Sequence, residues 1–189
     1  MQALTPAEVA MPNREMTSEQ YALQIIGFLL SYPDAAWREQ LSAVADGIKD
    51  IADARTRQAC EAVLQHINSL TVRDYEDEYV RAFDFSGNTN MYLASYDCSN
   101  AGEQSEKLLA YKGFFEDNGF TLSKELPDYV PALLELCAAV SPAIAADILA
   151  YAEEALSLFK KRLTDSGYVQ AQLVDCILSS RRRLEGRTL

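Results

Sequence analysis

Closely spaced metal ligands are what this chain most clearly lacks. Its 189 residues include one histidine, His66, and four cysteines without a Cys-x-x-Cys pair, namely Cys60, Cys98, Cys137 and Cys176. Structural zinc sites and iron–sulfur clusters need such ligands at short spacing. We therefore expect no metal site, and we interpret the cysteines as reduced core thiols of a cytoplasmic protein.

The signatures of the common enzyme classes are also missing. The sequence has no Gly-x-Ser-x-Gly, no phosphate-binding glycine loop, no His-Glu-x-x-His and no Gly-x-Gly-x-x-Gly. A Cys–His nucleophile pair would have to use Cys60 and His66, which a six-residue offset places on roughly opposite faces of a helix. The carboxylates of residues 74–84 are typical of a solvated helix face. We expect a binding protein without catalytic residues or bound cofactor, not an enzyme.

Positive charge and long apolar runs are scarce. The chain has 17 Lys and Arg against 28 Asp and Glu, a net charge of -11. Because phosphate contacts need a basic surface, we expect no nucleic-acid partner; a basic partner is favoured, although many acidic proteins use their charge only for solubility. Residues 1–16 show no signal peptide, and the longest apolar run, residues 25–30, is far too short to span a membrane.

What the sequence does have is helical periodicity. From Thr17 onward apolar residues recur three and four positions apart, and no convincing strand alternation is present. The pattern predicts an all-α, single-domain bundle of about eight helices over residues 17–189, preceded by a disordered extension over residues 1–16. Residues 86–102 form the longest interval without periodicity. Their large side chains indicate a loop that packs onto the helices.

Several helix ends can be predicted from local patterns. Thr17 and Gln20 have the spacing of a capping box, and Gly119 is a candidate left-handed C-terminal cap. A proline start and continued periodicity predict one long helix over residues 142–163. The arginines at 181–183 lie in a final helical turn, where positive charge complements the helix dipole.

The segment ELPDYVPALLELCA, residues 125–138, indicates a stiff hinge followed by a buried helix. Pro127 and Pro131 bracket the helix start, and Pro131 falls in the first turn, where its missing amide hydrogen costs little. Asp128 is then the candidate N-cap, because its carboxylate can accept from the free amides of the helix start.

An aromatic stripe precedes the long loop. Tyr75, Tyr79 and Phe83 share one face of a predicted helix over residues 71–85, and the loop adds Met91, Tyr92, Leu93 and Tyr96. Such a stripe, in an acidic protein, suits a groove for an amphipathic basic peptide. It also suits ordinary core packing, and the spacing alone favours the core.

Three stretches together resemble a known family. Residues 28–37 (FLLSYPDAAW), 78–97 (EYVRAFDFSGNTNMYLASYD) and 125–138 are similar, in this order and at similar separations, to the signature segments of the NarJ family of nitrate reductase delta subunits, or molybdenum cofactor assembly chaperones. The resemblance implies an all-helical fold, shared more distantly with the TorD and DmsD chaperones. It also implies a cytoplasmic chaperone that binds the N-terminal peptide of a molybdopterin-dependent catalytic subunit, often a basic one, and holds the apo-enzyme open for cofactor insertion.

The resemblance also implies site residues. Tyr79 and Phe83 match the aromatic pair of the family's Tyr-x-x-x-Phe helix, and Asp128 matches the aspartate of its hinge motif. Tyr129 stands where the TorD and DmsD branch has histidine, so a role that rests on an imidazole does not carry over. We expect aromatic side chains to hold the apolar face of the peptide and Asp84 and Asp128 to meet its basic residues. The predicted peptide site comprises Tyr75, Tyr79, Phe83, Asp84, Tyr92, Leu93, Asp128 and Tyr129.

Some alternatives stay open at this point. A generic helical peptide-binding adaptor, unrelated to molybdoenzymes, would show the same periodicities without a preference for such leaders. The client could be a nitrate, dimethyl sulfoxide, selenate or other reductase, since related chaperones serve each of these. The protein could act as a monomer or as a domain-swapped dimer.

Overall fold

The computed structural model of the chain describes residues 4–6, 16–122 and 125–186, and of residues 4–6 the backbone alone. Within these ranges the fold is all-α, as predicted, with nine α-helices and one pair of short strands. The elements are β1 (Leu4–Pro6), α1 (Ser18–Leu30), α2 (Ala35–Ile48), α3 (Ala54–Ser69), α4 (Val72–Tyr79), α5 (Ala101–Glu116), β2 (Phe120–Leu122), α6 (Val130–Ala139), α7 (Pro142–Tyr151), α8 (Glu153–Asp165) and α9 (Ala171–Glu185).

The centre of the core is the contact between α1 and α6. Gly27 of α1 lets the two helices approach closely, because a Cβ at this position would lie 3.2 Å from the Cβ of Leu134. The amide nitrogen Nε2 of Gln20 donates to the carbonyls of Cys137, at 3.0 Å, and Val140, at 2.7 Å. These are among the free carbonyls at the end of α6. One side chain therefore ties the start of α1 to the end of α6.

Helix α9 packs against α1, α3, α7 and α8 and closes the bundle. At its end Arg183 donates to Glu19 of α1, with Nε 2.7 Å from Oε2. Arg181 forms ion pairs with Glu153 and Glu185. Intramolecular ion pairs thus account for two of the three arginines in the predicted basic cluster.

Two predicted helix ends are confirmed, and so is the core position of three of the four cysteines. Thr17 and Gln20 form the capping box of α1, and Gly119, with φ at 77°, follows α5 in the left-handed conformation. Three cysteines are buried as free thiols, and Cys98 is half-buried; the buried ones are Cys60, Cys137 and Cys176. Burial raises the pKa of the Cys60 and Cys137 thiols to about 12, so both stay protonated.

The single helix predicted over residues 142–163 is wrong, since α7 and α8 are separate helices that meet at Ala152. Its ψ of -5° departs from the helical value and redirects the chain. The carbonyl of Ala152 still accepts from Leu156 at 2.9 Å, and its amide donates to Ile148 at 3.1 Å. Because the hydrogen bonds continue across the bend, the apolar period also continues, and the sequence pattern does not show the break.

Strands β1 and β2 pair in antiparallel fashion, with Thr5 opposite Thr121. They were not predicted, because three residues are too few for alternation to be visible. Most of the extension predicted over residues 1–16 lies outside the described residues, and its described part includes β1.

The described ranges contain neither a membrane-spanning helix nor a cluster of metal ligands. No helix there is long and apolar enough to cross a membrane. No group of three or more His, Cys, Asp and Glu side chains in the same ranges is placed to hold a metal ion.

Candidate functional site

A cleft of about 260 Å³ lies where the α1–α2 connection, the end of α4 and the segment before α6 meet. All three stretches singled out in the sequence, residues 28–37, 78–97 and 125–138, contribute to it. We call this site the aromatic cleft. Its lining residues are Tyr32, Asp34, Tyr79, Phe83, Asp84, Met91, Tyr92, Glu125 and Tyr129.

The base of the aromatic cleft is set by an unusual helix end. After Tyr79, helix α4 continues as a π-helical turn over Val80–Asp84, in which the amide of Phe85 donates to the carbonyl of Val80 at 3.0 Å. The rings of Tyr79 and Phe83 are 4.8 Å apart between centroids, and both side chains are buried. Single π-turns within helices are frequent at functional sites. Nothing in the sequence period indicated one here.

The opposite side of the cleft is formed by two extended segments. Tyr92 and Tyr129 form an isolated antiparallel β-bridge, and the amide of Val130 donates to the carbonyl of Met91 at 2.9 Å. The rings of the two tyrosines are 5.4 Å apart between centroids. Both side chains are half-buried and line the cleft.

Asp128 lies behind this side of the cleft. Its side chain is 1% exposed, and Oδ2 accepts from the amide of Ala94 at 3.0 Å. Oδ1 is buried without a hydrogen-bond partner in the described chain, and burial raises the pKa of the carboxyl. The predicted N-cap role is wrong, because the N-cap position of α6 is Tyr129, without a side-chain cap. Asp128 is also too buried to make the predicted contact with a basic residue in the cleft.

Two more predicted residues belong to the core. Tyr75 is 3% exposed and stacks on Trp37 at 5.9 Å between ring centroids. Leu93 is 1% exposed and begins the 3-10 turn Leu93–Ser95 beneath the cleft. Five of the eight predicted residues line the cleft, two of them, Tyr79 and Phe83, from its buried base and the others being Asp84, Tyr92 and Tyr129.

Four lining residues were not predicted as site residues. Tyr32 is 37% exposed and meets Tyr79 edge to face at 5.5 Å between centroids. Asp34 caps α2, its Oδ1 accepting from the amide of Trp37 at 2.8 Å. The remaining two are Met91 and Glu125. All four lie within the three resembling stretches, and that membership is the signal that could have identified them.

The cleft is acidic at its edge and aromatic at its base. Its carboxylates are Asp34, Asp84 and Glu125, and no Lys, Arg or His is among its described lining residues. Burial raises the pKa of Asp84 above its usual value. Burial, and then the nearby Glu125 carboxylate, raises the pKa of Tyr92 to about 12. The Tyr92 hydroxyl therefore stays protonated and donates to Oε2 of Glu125 at 3.2 Å.

This arrangement suits binding better than bond-making chemistry. The described lining has carboxylates and phenols but no serine, cysteine or histidine that could act as an activated nucleophile. A buried aromatic base takes an apolar side chain, and partly exposed carboxylates at the edge attract a cation. The site therefore fits a ligand that carries both groups.

Comparison with known proteins gives consistent results. Residues 49–166 match the family described as "Nitrate reductase delta subunit". The chain is 31% identical over 168 residues to the "Probable nitrate reductase molybdenum cofactor assembly chaperone NarJ" of Bacillus subtilis (strain 168), covering 87% of this chain and 90% of the relative. It is 27% identical over 161 residues to the "Nitrate reductase molybdenum cofactor assembly chaperone NarJ" of Escherichia coli (strain K12), covering 82% and 67%.

Proposed function

Since the chain belongs to the nitrate reductase delta subunit family, we propose that it is a system-specific chaperone for a molybdoenzyme catalytic subunit, nitrate reductase alpha or a related reductase. It binds the subunit before maturation and assists insertion of the molybdenum cofactor, which is cargo of the client. The observation that carries the proposal is the aromatic cleft, where all three family-like stretches meet and form a concave site. Family membership does not favour the generic adaptor.

The ligand of the cleft is the N-terminal leader of that subunit, bound as an amphipathic segment. Tyr79, Phe83, Tyr92 and Tyr129 offer ring surface to its apolar side chains. Asp84 and the other carboxylates at the edge favour basic residues beside them. For a peptide in such a groove the affinity is micromolar to nanomolar, about -8 to -12 kcal/mol.

The work of the protein is done by binding, so no catalytic step is required of it. Occupation of the cleft keeps the leader covered while the unfinished client stays open to cofactor insertion. The buried free thiols support a reducing, cytoplasmic site of action.

Titration calorimetry with the N-terminal leader peptide of a molybdoenzyme catalytic subunit from the same genome tests the proposal. Tyr79 and Phe83 are buried, and truncating them threatens the fold, so the informative variant is Tyr32→Ala, at a residue that is 37% exposed in the cleft. The matched control is Tyr151→Ala, at a tyrosine that is 38% exposed outside it.

We expect wild type and Tyr151→Ala to bind alike and Tyr32→Ala to bind several-fold more weakly. A peptide with its basic residues changed to alanine should also bind weakly. If the wild type does not bind the leader, the proposed function is wrong. If it binds and the two tyrosine variants do not differ, the function stands and the cleft is not the site.

A further inference from the structure

A second concave site lies beside α4, on the N-terminal side of the aromatic cleft. It is bounded by the start of α2, the end of α3 and the start of α4, and its volume is about 160 Å³. Its apolar lining includes Pro33, Trp37, Leu41, Val72 and Tyr75. We call it the apolar hollow. None of the predicted site residues except Tyr75 belongs to it.

The size and lining of the hollow fit one side chain. A pocket for a drug-sized ligand measures about 300 Å³ or more, whereas an apolar cavity of about 150 Å³ holds a benzene ring. Trp37 and Tyr75, 2% and 3% exposed, close the bottom. Val72, 58% exposed, stands at the mouth. An exposed valine beside an apolar recess is a surface that gains from being covered.

The hollow and the aromatic cleft are continuous along two elements. One face of α4 and its π-turn supplies Val72 and Tyr75 to the hollow and Tyr79 and Phe83 to the cleft. The turn between α1 and α2 does the same, since Pro33 lines the hollow and its two sequence neighbours line the cleft. A ligand that follows α4 from the cleft therefore arrives at the hollow.

The Glu76 side chain contacts one lining residue of each site. Glu76 accepts from the Tyr32 hydroxyl at 2.9 Å and from Nη1 of Arg38 at 3.4 Å. The Arg38 and Glu76 side chains are 32% and 36% exposed. Ion pairs of this exposure contribute little to stability. A basic group of a ligand can therefore take the place of Arg38 at Glu76 without a large loss.

We propose that the apolar hollow is a second anchor site for the same client peptide, an inference that rests on the proposed function. Along α4 and its π-turn, the midpoint of Val72 and Tyr75 precedes the midpoint of Tyr79 and Phe83 by seven to eight residues, about 11 Å at the helical rise. In a helical ligand, apolar residues seven positions apart have this separation. The hollow therefore selects peptides with two apolar anchors at i and i+7 and a basic residue between them, facing Glu76.

Calorimetry with the leader peptide and an alanine series at its large apolar residues tests this inference. The chain variant is Val72→Gln, which makes the mouth of the hollow polar without changing charge. Its matched control is Leu109→Gln, at an apolar residue of α5 that is 67% exposed and lies outside both sites. Both changes place a good helix former at an exposed helical position.

We expect Val72→Gln to weaken binding threefold or more and Leu109→Gln to leave it unchanged. For one apolar residue of the peptide, substitution by alanine should weaken binding to Val72→Gln much less than it weakens binding to the wild type. For a different apolar residue, seven positions away in the peptide, the alanine substitution should have this reduced effect on binding to Tyr32→Ala. This pairing identifies which anchor occupies which site.

The outcomes separate the two proposals. If Tyr32→Ala weakens binding and Val72→Gln does not, the hollow is not an anchor site and the proposed function stands. If Val72→Gln changes only the concentration dependence of sedimentation, the hollow contacts a second copy of this chain, and the inference is overturned. If the wild type does not bind the leader at all, both proposals fail.

Discussion

The Asp128 carboxylate and the Ala94 amide hold the two extended segments of the aromatic cleft together, with Oδ2 3.0 Å from the amide nitrogen. The carbonyl of Asp128 adds a second link, accepting from the amide of Leu93 at 3.1 Å. One residue thereby fixes the 3-10 turn that follows Tyr92 against the segment that carries Tyr129. The position of the two tyrosine rings therefore depends on a side chain that is buried behind the cleft.

Replacing Asp128 tests this link. Asp128→Ala leaves the buried Ala94 amide without an acceptor, which should lower the free energy of unfolding by about 1–3 kcal/mol. Asp128→Asn keeps an acceptor oxygen and should cost less. Urea unfolding at neutral pH measures both. Equal losses for the two variants would contradict the role of the hydrogen bond.

The buried carboxyl of Asp128 should also make the stability of the fold depend on pH. Burial raises the pKa of Asp128 above its ordinary value of 3.8. As pH rises from that value, the carboxyl ionises first in the unfolded chain, so the folded state loses stability until the pH passes the raised pKa. Relative to Asp128→Asn, the wild type should therefore become more stable as pH falls through this interval. If the difference in unfolding free energy between the wild type and Asp128→Asn does not vary with pH, this prediction is wrong.

Asp84 should contribute charge attraction to leader binding. Asp84→Asn is expected to weaken binding by about 0.2–1 kcal/mol at low salt, and by less at high salt, because exposed charges are screened. Burial raises the pKa of Asp84, so lowering the pH through that pKa should weaken the wild type more than the variant. Calorimetry at two salt concentrations checks this. Glu106→Gln, at an exposed position of α5 outside the cleft, controls for net charge.

Arg183 should contribute to the stability of the fold, and its neighbour Arg182 should not. Arg183 pairs with Glu19, whose side chain is 9% exposed, so Arg183→Met leaves a nearly buried carboxylate without its cation. We expect a loss of about 1–3 kcal/mol in unfolding free energy. Arg182→Met, an exposed position on the same turn, should change it by less than about 0.5 kcal/mol. Thermal unfolding of the two variants gives the comparison.

Two glycines near the end of α5 should respond in opposite directions to alanine. A Cβ at Gly113 or Gly119 would meet nothing within 4 Å, so crowding plays no part at either position. Gly119 has φ at 77°, and alanine there should cost about 1 kcal/mol or more. Gly113 lies inside the helix, and alanine there should add about 0.5–1 kcal/mol. The denaturant midpoints of the two variants, compared with that of the wild type, test this prediction.

Features that depend on three or four neighbouring residues could be predicted from the sequence. The Thr17–Gln20 capping box and the Gly119 cap are of this kind, because each is formed within a single turn. Asp128 shows where such reasoning fails. A carboxylate before an apolar helix has the same pattern whether it caps that helix or accepts from an amide 34 residues earlier in the chain. Tertiary contact decides between the two.

The aromatic cleft was predictable in part for a related reason. Tyr79 and Phe83 follow the helical period, and resemblance to a family pointed to the segments around Tyr92 and Tyr129. The period alone could not separate core from surface, since Tyr75 lies on the same stripe and is stacked on Trp37 in the core. The π-turn was not visible either, because the apolar spacing of four continues through it.

The contacts of Gln20 show how late in synthesis on the ribosome the core can form. Its side chain takes part in the capping box of α1, and its carbonyl acceptors at the end of α6, Cys137 and Val140, lie 117 and 120 residues later in the chain. Helix α1 therefore emerges long before its main packing partner exists, and the core closes only after residue 140 has left the exit tunnel. The cleft also needs segments from both ends of this interval. The aromatic cleft therefore cannot form in a chain that has been synthesised only part of the way to residue 140.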